Sequence, residues 1–228
     1  MNCDEGNSSI FAVMPIGKST RIKEKPFVKF NGKFLFLNGY EILSKIFPVF
    51  VVCHTDAEEK IREILKDDNI IIDTLNIGPL GALYLAAKGM TCDYIFFVGC
   101  DMPFLNSGII KFMCEQINVS NIKDIKDIKD IKDIKDIKDI KDIKDIKGVV
   151  LKREKFEPLH ALYERKFVLE TASELIKNNE GKISSIIEKN TDKFNIIDIN
   201  NCNLKKFDPE IKFLNDIDTD DDLKRQKQ

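Results

Sequence analysis

Short apolar runs alternate along this chain with segments whose apolar residues recur at helical spacing, and this alternation limits the possible folds most strongly. The runs are nearly continuous, as in parallel strands covered on both faces, and they span residues 10–14, 49–53, 70–72 and 94–99. Each of the first three runs is followed by a segment whose apolar residues have helical spacing. These segments cover residues 37–46, the residues after Thr55, and residues 81–88. The order predicts a Rossmann-like, three-layer α/β/α fold with a mostly parallel sheet and right-handed crossovers.

Local signals add detail to this outline. Asn31-Gly32 predicts a tight turn, and Thr55 with Glu58 has the spacing of a helix capping box. Later in the chain the patterns predict two strands and two helices, followed by an acidic tail from Asp216 that opens a last short helix. The strands cover residues 148–151 and 194–199, and the helices cover residues 164–177 and 183–189.

A low-complexity repeat interrupts what is otherwise one predicted domain over residues 1–228. The triplet Ile-Lys-Asp occurs eight times from residue 122 to 145, and a broken ninth copy extends the insertion to 122–147. A period of three matches neither a strand nor an α-helix, so no apolar face persists along the repeat. We interpret it as a tolerated expansion in a surface connection, with an interaction arm as the alternative.

Charge and cysteine content exclude several classes of function. The 36 basic residues nearly balance 38 acidic ones, which argues against a nucleic-acid or membrane-surface partner. The six cysteines form no CxxC pair, as expected for reduced thiols in a cytosolic protein. No apolar run approaches the ~18 residues of a membrane span, and the polar start of the chain lacks a basic leader. The predicted location is therefore cytoplasmic.

Two segments offer chemistry at the ends of predicted strands. A small-residue loop with Gly17 follows the first strand, and four cationic side chains come after this glycine: Lys18, Arg21, Lys23 and Lys25. Together they could offset the charge of a triphosphate bound at the loop. The alternative is an ordinary basic surface loop. Asp101 follows the strand at residues 94–99, where open α/β sheets bind ligands, and could hold Mg²⁺. Its alternative role is a helix cap.

A third candidate is the Gly78-Pro79 turn, which would let backbone approach a ligand closely, although it also suits a plain connection between a strand and a helix. The two histidines, His54 and His160, have no partner at metal-ligand spacing, which argues against zinc.

Taken together, these segments resemble the MobA-like nucleotidyltransferases. Residues 14–25 (MPIGKSTRIKEK) are similar to the opening signature LAGGxSxRMGxDK of that family, and four further segments follow in the family's order. These are Asp73 with residues 78–83 (GPLGAL), residues 100–104 (CDMPF), residues 158–163 (PLHALY) and residues 216–219 (DIDT). The resemblance covers essentially the whole chain outside the repeat.

The resemblance implies molybdenum cofactor guanylyltransferase activity. A terminal phosphate of molybdopterin would attack the α-phosphorus of GTP in one Mg²⁺-dependent step, releasing pyrophosphate and forming the guanine dinucleotide cofactor. By position, Asp101 would bind Mg²⁺, and Arg21 and Lys25 would neutralise the phosphates as further catalytic residues. Besides Lys25 and Asp101, the nucleotide would contact Gly17, Lys18, Asp73, Gly78 and Pro79. The implied partners are GTP and molybdopterin, with transient contacts to molybdoenzymes or other cofactor-synthesis proteins.

The chain departs from the family at several positions that bear on substrate choice. Pro15-Ile16 stands where the family has Ala-Gly, which removes one N–H donor and places a β-branched side chain beside the nucleotide. Asp216 and Asp218 replace two asparagines and add negative charge near the metal. Two alternatives therefore stay open: transfer of cytidylyl or another nucleotidyl group to molybdopterin or another phosphorylated acceptor, and a degenerate protein that binds nucleotide or molybdopterin without turnover.

Overall fold

The computed structural model describes residues 9–17, 24–66, 69–117, 146–199 and 203–225. Lys18 and Arg21 lie outside these residues, as does the predicted insertion except for Ile146 and Lys147. The roles of Lys18 and Arg21, and the division of the chain into one domain with an insertion, stay predictions.

The strands and helices alternate in the first half of the chain as predicted. The strands are β1 (Ile10–Ile16), β2 (Lys29–Phe30), β3 (Lys33–Phe34), β4 (Val49–Cys53), β5 (Ile70–Ile72), β6 (Tyr94–Val98), β7 (Gly148–Lys152), β8 (Phe156–Glu164) and β9 (Phe194–Asp198). The α-helices are α1 (Leu35–Leu43), α2 (Thr55–Leu65), α3 (Pro79–Gly89), α4 (Ser107–Glu115), α5 (Arg165–Lys177), α6 (Ser184–Glu188) and α7 (Asp220–Arg225). Short 3₁₀ turns cover Lys25–Phe27, Thr191–Lys193, Asn203–Lys206 and Lys212–Leu214.

Seven strands form one sheet in the order β5-β4-β1-β6-β8-β7-β9. Neighbouring strands are parallel in the pairs β5-β4, β4-β1, β1-β6 and β7-β9, whereas β8 is antiparallel to both β6 and β7. Six of the seven strands therefore share one direction, and their carboxyl ends meet at one edge of the sheet. The mostly parallel sheet confirms the predicted fold class.

Helices cover both faces of the sheet. One face packs against α1, α2 and α4, and the other packs against α3, α5 and α6, through two separate buried clusters. Phe36, Ile61 and Ile109 are fully buried on the first face, and Leu83 and Ile186 are fully buried on the second. Each such side chain stabilises the fold by about 1.5–3 kcal/mol relative to an exposed one. The two clusters confirm the three-layer arrangement.

A third, smaller cluster attaches the C-terminal tail to a hairpin. The hairpin β2-β3 turns at Asn31 and Gly32, whose φ angles of 50° and 80° suit an Asn-Gly hairpin turn and confirm the predicted tight turn. Phe30 of this hairpin packs with Ile217 and Leu223 of the tail. The tail is thereby held against the carboxyl edge of the sheet.

One local prediction was wrong, and the bounds of several elements differ, most clearly those of α1 and α3. Thr55 does not cap α2, because it already lies inside the helix; His54 has the extended backbone of an N-cap, and its Nδ1 accepts a hydrogen bond of 3.2 Å from the N–H of Asp56. Helix α1 runs from Leu35 to Leu43 rather than over residues 37–46. Helix α3 begins at Pro79, two residues early, because proline fits the first turn of a helix. Among the described residues, no helix combines the length and the apolar character that a membrane crossing requires.

Candidate active site

A cleft of about 790 Å³ opens at the carboxyl edge of the sheet. Its wall is formed by the ends of β1, β4, β5 and β6, by the start of α3 and by the tail. Ligands of open α/β sheets bind in this position because several strand ends converge there. Gly17, Lys25, Asp73, Gly78, Pro79 and Asp101 all line this one cleft. The structure thus brings together every predicted site residue that it describes.

One half of the cleft is acidic and is organised around Lys25. The Lys25 Nζ donates hydrogen bonds of 2.6 Å to Asp101 Oδ2 and 2.6 Å to Asp218 Oδ1. Carboxylate oxygens of Asp101, Asp216 and Asp218 come within 4.8 Å of one another. The Lys25 side chain is 9% exposed, whereas the side chains of Asp101 and Asp218 are 22% and 38% exposed, so water screens these ion pairs only in part. We call these four residues the acidic half.

The tail brings two of these carboxylates to the strand end. The N–H of Ile217 donates a 3.0 Å hydrogen bond to the carbonyl of Asp101, so the tail is joined directly to the loop that follows β6. Asp222 Oδ2 accepts hydrogen bonds from the N–H groups of Asp218 and Thr219, and Asp222 N–H donates to Thr219 Oγ1. This reciprocal cap fixes the backbone on either side of Asp218.

The backbone before Asp101 is glycine for a steric reason. A Cβ on Gly99 would lie 2.6 Å from Asp101 Oδ1, closer than real Cβ contacts come. A side chain at residue 99 would therefore require the Asp101 carboxylate to shift from its observed position. The Gly99 N–H also donates a 3.0 Å hydrogen bond to the carbonyl of Leu159, which fixes the strand end against β8.

Charge and burial act in opposite directions on the acidic half. Burial alone would lower the pKa of the Lys25 ammonium, but the hydrogen bonds and charges of Asp101 and Asp218 raise its pKa above the ordinary value. Asp216 stands at the exposed mouth of the cleft, yet the loss of water on its protein side, and then the charges of Asp218 and Asp101, raise its pKa. The acidic half therefore carries excess negative charge that an added cation would relieve.

The other half of the cleft presents backbone rather than charged side chains, and we call it the glycine half. Gly17 follows β1, and an added Cβ there would meet no atom of the described residues within 4 Å. Gly78 has a φ of 78° and a ψ of −157°, a conformation that essentially only glycine adopts. Pro79 and Ala82 of α3 line the same wall, so the first turn of α3 faces the cleft. Free N–H groups in a helix's first turn favour bound anions.

Pro15 lies in β1 where the sheet tolerates a missing N–H. The registered pairs between β1 and β6 end at Val13 and Phe97, so Pro15 lies beyond that pairing, although it still lies opposite Val52 of β4. Pro15 and Ile16 both line the cleft. The departure from the family signature therefore changes the surface that a ligand meets.

Asp73 and His54 border the glycine half with partly committed side chains. Asp73 Oδ1 accepts hydrogen bonds from the N–H groups of Leu75 (3.1 Å) and Asn76 (2.9 Å), which shape the loop that leads to Gly78. His54 caps α2 as described above and also lines the cleft. Sequence reasoning did not single out His54 as a cleft residue; its position directly after β4 was the available signal.

Other residues that could carry chemistry are kept inert by burial. Burial, and next the charge of Asp101, raise the pKa of the Cys100 thiol, so it stays protonated beside the cleft. His160 is fully buried, neither of its ring nitrogens has a hydrogen-bond partner among the described residues, and burial lowers its pKa to about 3. Neutral His160 thus behaves as a core residue, packed in edge contacts against Phe96 and Phe213.

Asp216 and Asp218 are the main residues that the predicted site omitted. The tail was recognised as a matching segment, and both aspartates were expected to add negative charge near the metal, but neither was named as a site residue. Pro26, Asn76 and Gly99 also line the cleft without having been predicted.

A mostly parallel α/β/α sheet that carries an anion-favouring glycine half beside an acidic half fits the class of nucleotidyltransferases, and comparison with known proteins supports this. A family model for the MobA-like NTP transferase domain matches residues 16–192. The chain therefore belongs to the family of MobA-like NTP transferase domains and is a nucleotidyltransferase.

Relatives and solved structures agree with this family. A probable molybdenum cofactor guanylyltransferase from Pyrococcus horikoshii is 30% identical over 184 residues, which is 79% of this chain and 81% of the relative. Another from Thermococcus sibiricus is 27% identical over 78% of this chain and 80% of its own length. The crystal structure of molybdopterin-guanine dinucleotide biosynthesis protein A from Archaeoglobus fulgidus is 22% identical, covers 95% of each chain and has a TM-score of 0.72. That last similarity concerns the fold.

Proposed function

We propose that the protein is a molybdenum cofactor guanylyltransferase that transfers GMP from GTP to molybdopterin with Mg²⁺. The observation that carries the proposal is the juxtaposition of an anion-favouring glycine half with an acidic half in one cleft. The names of the relatives supply the substrates. A cytoplasmic location belongs to the same proposal.

The residues of the acidic half fit a magnesium ion. The possible metal ligands among them are the carboxylate oxygens of Asp101, Asp216 and Asp218, which are of the kind that Mg²⁺ prefers, and Mg²⁺ needs only one or two of them besides substrate phosphates. The Lys25 ammonium already places one positive charge between Asp101 and Asp218. Asp101, with Asp216 or Asp218, would hold the ion. Bound Mg²⁺ would neutralise charge that develops on the phosphates during transfer.

The transfer itself needs no covalent enzyme intermediate. An oxygen of the acceptor phosphate forms a bond to the α-phosphorus of GTP, the bond from that phosphorus to the bridging oxygen breaks, and its electron pair leaves with pyrophosphate. The glycine half would hold the triphosphate through backbone N–H groups, and Lys25 would offset its charge. Protonated Cys100 is a poor nucleophile, which agrees with direct transfer.

The test is product formation from defined substrates. Purified protein is incubated with Mg²⁺, molybdopterin and each of the four nucleoside triphosphates, and pyrophosphate release and the dinucleotide product are measured. We expect both with GTP and much less with CTP, ATP or UTP. Turnover with CTP alone would favour cytidylyl transfer, for which Pro15 and Ile16 on the cleft wall give a structural reason. Thermal stabilisation by a triphosphate without any turnover would identify a non-catalytic binder.

A further inference from the structure

We infer that the Lys25 ammonium occupies the position that the divalent cation of the proposed reaction takes, so that cation binding is an exchange in which Lys25 moves out. The inference rests on the proposed function, because it concerns the cation of that reaction. It adds an order of binding to that function. Lys25 prevents the metal from binding to the acidic half until a bound nucleotide offers its ammonium another anion.

The first step of the argument is geometric. Lys25 Nζ lies 2.6 Å from Asp101 Oδ2 and 2.6 Å from Asp218 Oδ1, so it bridges the two carboxylates. A magnesium ion would lie about 2.1 Å from each oxygen that it binds. An ion that bridged the same two oxygens would overlap the ammonium group. The two cations therefore compete for one position.

The second step is the charge balance. The three carboxylates of the acidic half face one ammonium, which leaves an excess of negative charge when all four groups are ionised. When the ammonium leaves, Asp101 and Asp218 lose their bridging cation, although their side chains are only 22% and 38% exposed to water. Uncompensated charge is costly at such a site, so departure of Lys25 and arrival of the metal must be coupled.

The third step is where Lys25 can go. Its backbone is fixed, because Lys25 opens a 3₁₀ turn with Pro26, and its carbonyl accepts a 3.2 Å hydrogen bond from the N–H of Val28. Only the side chain is free to move, and it lines the same cleft as Gly17. Triphosphate bound at the glycine half would offer the freed ammonium a new anionic partner. Lys25 would thus leave the carboxylates as the metal and nucleotide arrive together.

The experiment measures Mn²⁺ binding without substrates. Affinity is determined by electron paramagnetic resonance for the wild type, Lys25→Met and the control Lys33→Met, whose lysine forms an ion pair with Glu41 outside the cleft. Methionine keeps much of the lysine's length but removes the charge. We expect Lys25→Met to bind Mn²⁺ at least about tenfold more tightly than the wild type, with Lys33→Met unchanged, and Asp101→Asn to remove the site. Equal or weaker binding by Lys25→Met would overturn the exchange.

A second measurement needs no substitution and holds even when Lys25→Met fails to fold. Lysine side chains of the wild type are labelled with ¹⁵N, and the Lys25 Nζ signal is followed while Mg²⁺ is added with a non-hydrolysable GTP analogue. We expect the signal to shift strongly as the carboxylate hydrogen bonds are lost, and an unchanged signal at saturation would overturn the inference. Turnover of GTP with molybdopterin tests the proposed function separately, because it succeeds or fails regardless of where Lys25 lies before binding.

Discussion

The two halves of the cleft are built in opposite ways. The acidic half consists of charged side chains that already bind each other, with Lys25 between Asp101 and Asp218. The glycine half consists largely of backbone, with Gly17 directly after β1 and a glycine-only conformation at Gly78. The difference indicates that a ligand must rearrange the side chains of the acidic half, whereas the glycine half can bind its ligand without rearrangement. Substitutions in the two halves should therefore change different measurements.

The largest expected effect is on turnover, from the acidic half. Asp101→Asn keeps the shape of the side chain but removes the charge that would hold Mg²⁺, and we expect kcat to fall at least about 100-fold, a loss of roughly 3 kcal/mol of transition-state stabilisation. The matched control is Asp192→Asn, on the exposed 3₁₀ turn Thr191–Lys193, which should leave kcat unchanged. An Asp101→Asn rate within threefold of the wild type at saturating Mg²⁺ would remove Asp101 from the metal site.

A smaller effect is expected on nucleotide affinity, from the glycine half. Gly17→Ala adds a methyl group that meets no atom of the described part of the chain within 4 Å, and we expect stability to change by no more than about 0.5 kcal/mol. The same methyl group would lie against bound nucleotide, and we expect the Kd for a GTP analogue, measured by calorimetry, to rise about tenfold. Gly89→Ala, at the far end of α3 with its nearest contact at 3.9 Å, is the control and should bind normally. Equal affinities of the two variants would separate Gly17 from the nucleotide.

A third expected effect concerns stability and pH rather than activity, and it contrasts two buried basic groups. Lys25 is held in its charged form by Asp101 and Asp218, whereas His160 has no hydrogen-bond partner in the described part of the chain and a pKa lowered to about 3. The unfolded chain takes up a proton at His160 near pH 6.5 and the folded chain does not, so this residue removes stability as pH falls from about 6.5 towards 3, by about 1.4 kcal/mol per pH unit. His160→Leu should abolish that part of the slope.

Urea unfolding at pH 7, 6 and 5 checks this expectation. The stability of the wild type should decline more steeply than that of His160→Leu over this interval. Parallel curves for the two proteins would show that His160 does become protonated in the folded state.

Sequence reasoning reached the scaffold of the cleft but only part of its chemistry. The apolar runs at β1, β4, β5 and β6 predicted parallel strands, whose carboxyl ends lie at one edge of the sheet. Gly17, Asp73 and Asp101 follow three of these strands, and they line one cleft at that edge. The pairing of Lys25 with Asp218 joins residues 193 positions apart, and no local pattern encodes such a contact. It depends on the burial of Ile217 with Phe30, which is visible only once the tail has packed.

Local competition explains the cap that sequence reasoning assigned wrongly. Thr55 and Glu58 had the right spacing, but the neighbouring His54 has the extended backbone that an N-cap requires, and its ring nitrogen accepts the hydrogen bond. Asp73 is a similar case, because a residue chosen for contact with the nucleotide also holds its own loop through Leu75 and Asn76. Spacing identifies candidate groups, whereas their hydrogen bonds decide which groups stay available.

The central claim, that the acidic half binds the metal and the glycine half the nucleotide, is tested most directly by anomalous diffraction. Crystals are grown with Mn²⁺ and a non-hydrolysable GTP analogue, and data are collected near the manganese absorption edge. The account predicts an anomalous peak between Asp101 and Asp218, with the Lys25 ammonium displaced towards phosphates that lie over Gly17. A peak away from Asp101, or phosphates bound outside the glycine half, would contradict it.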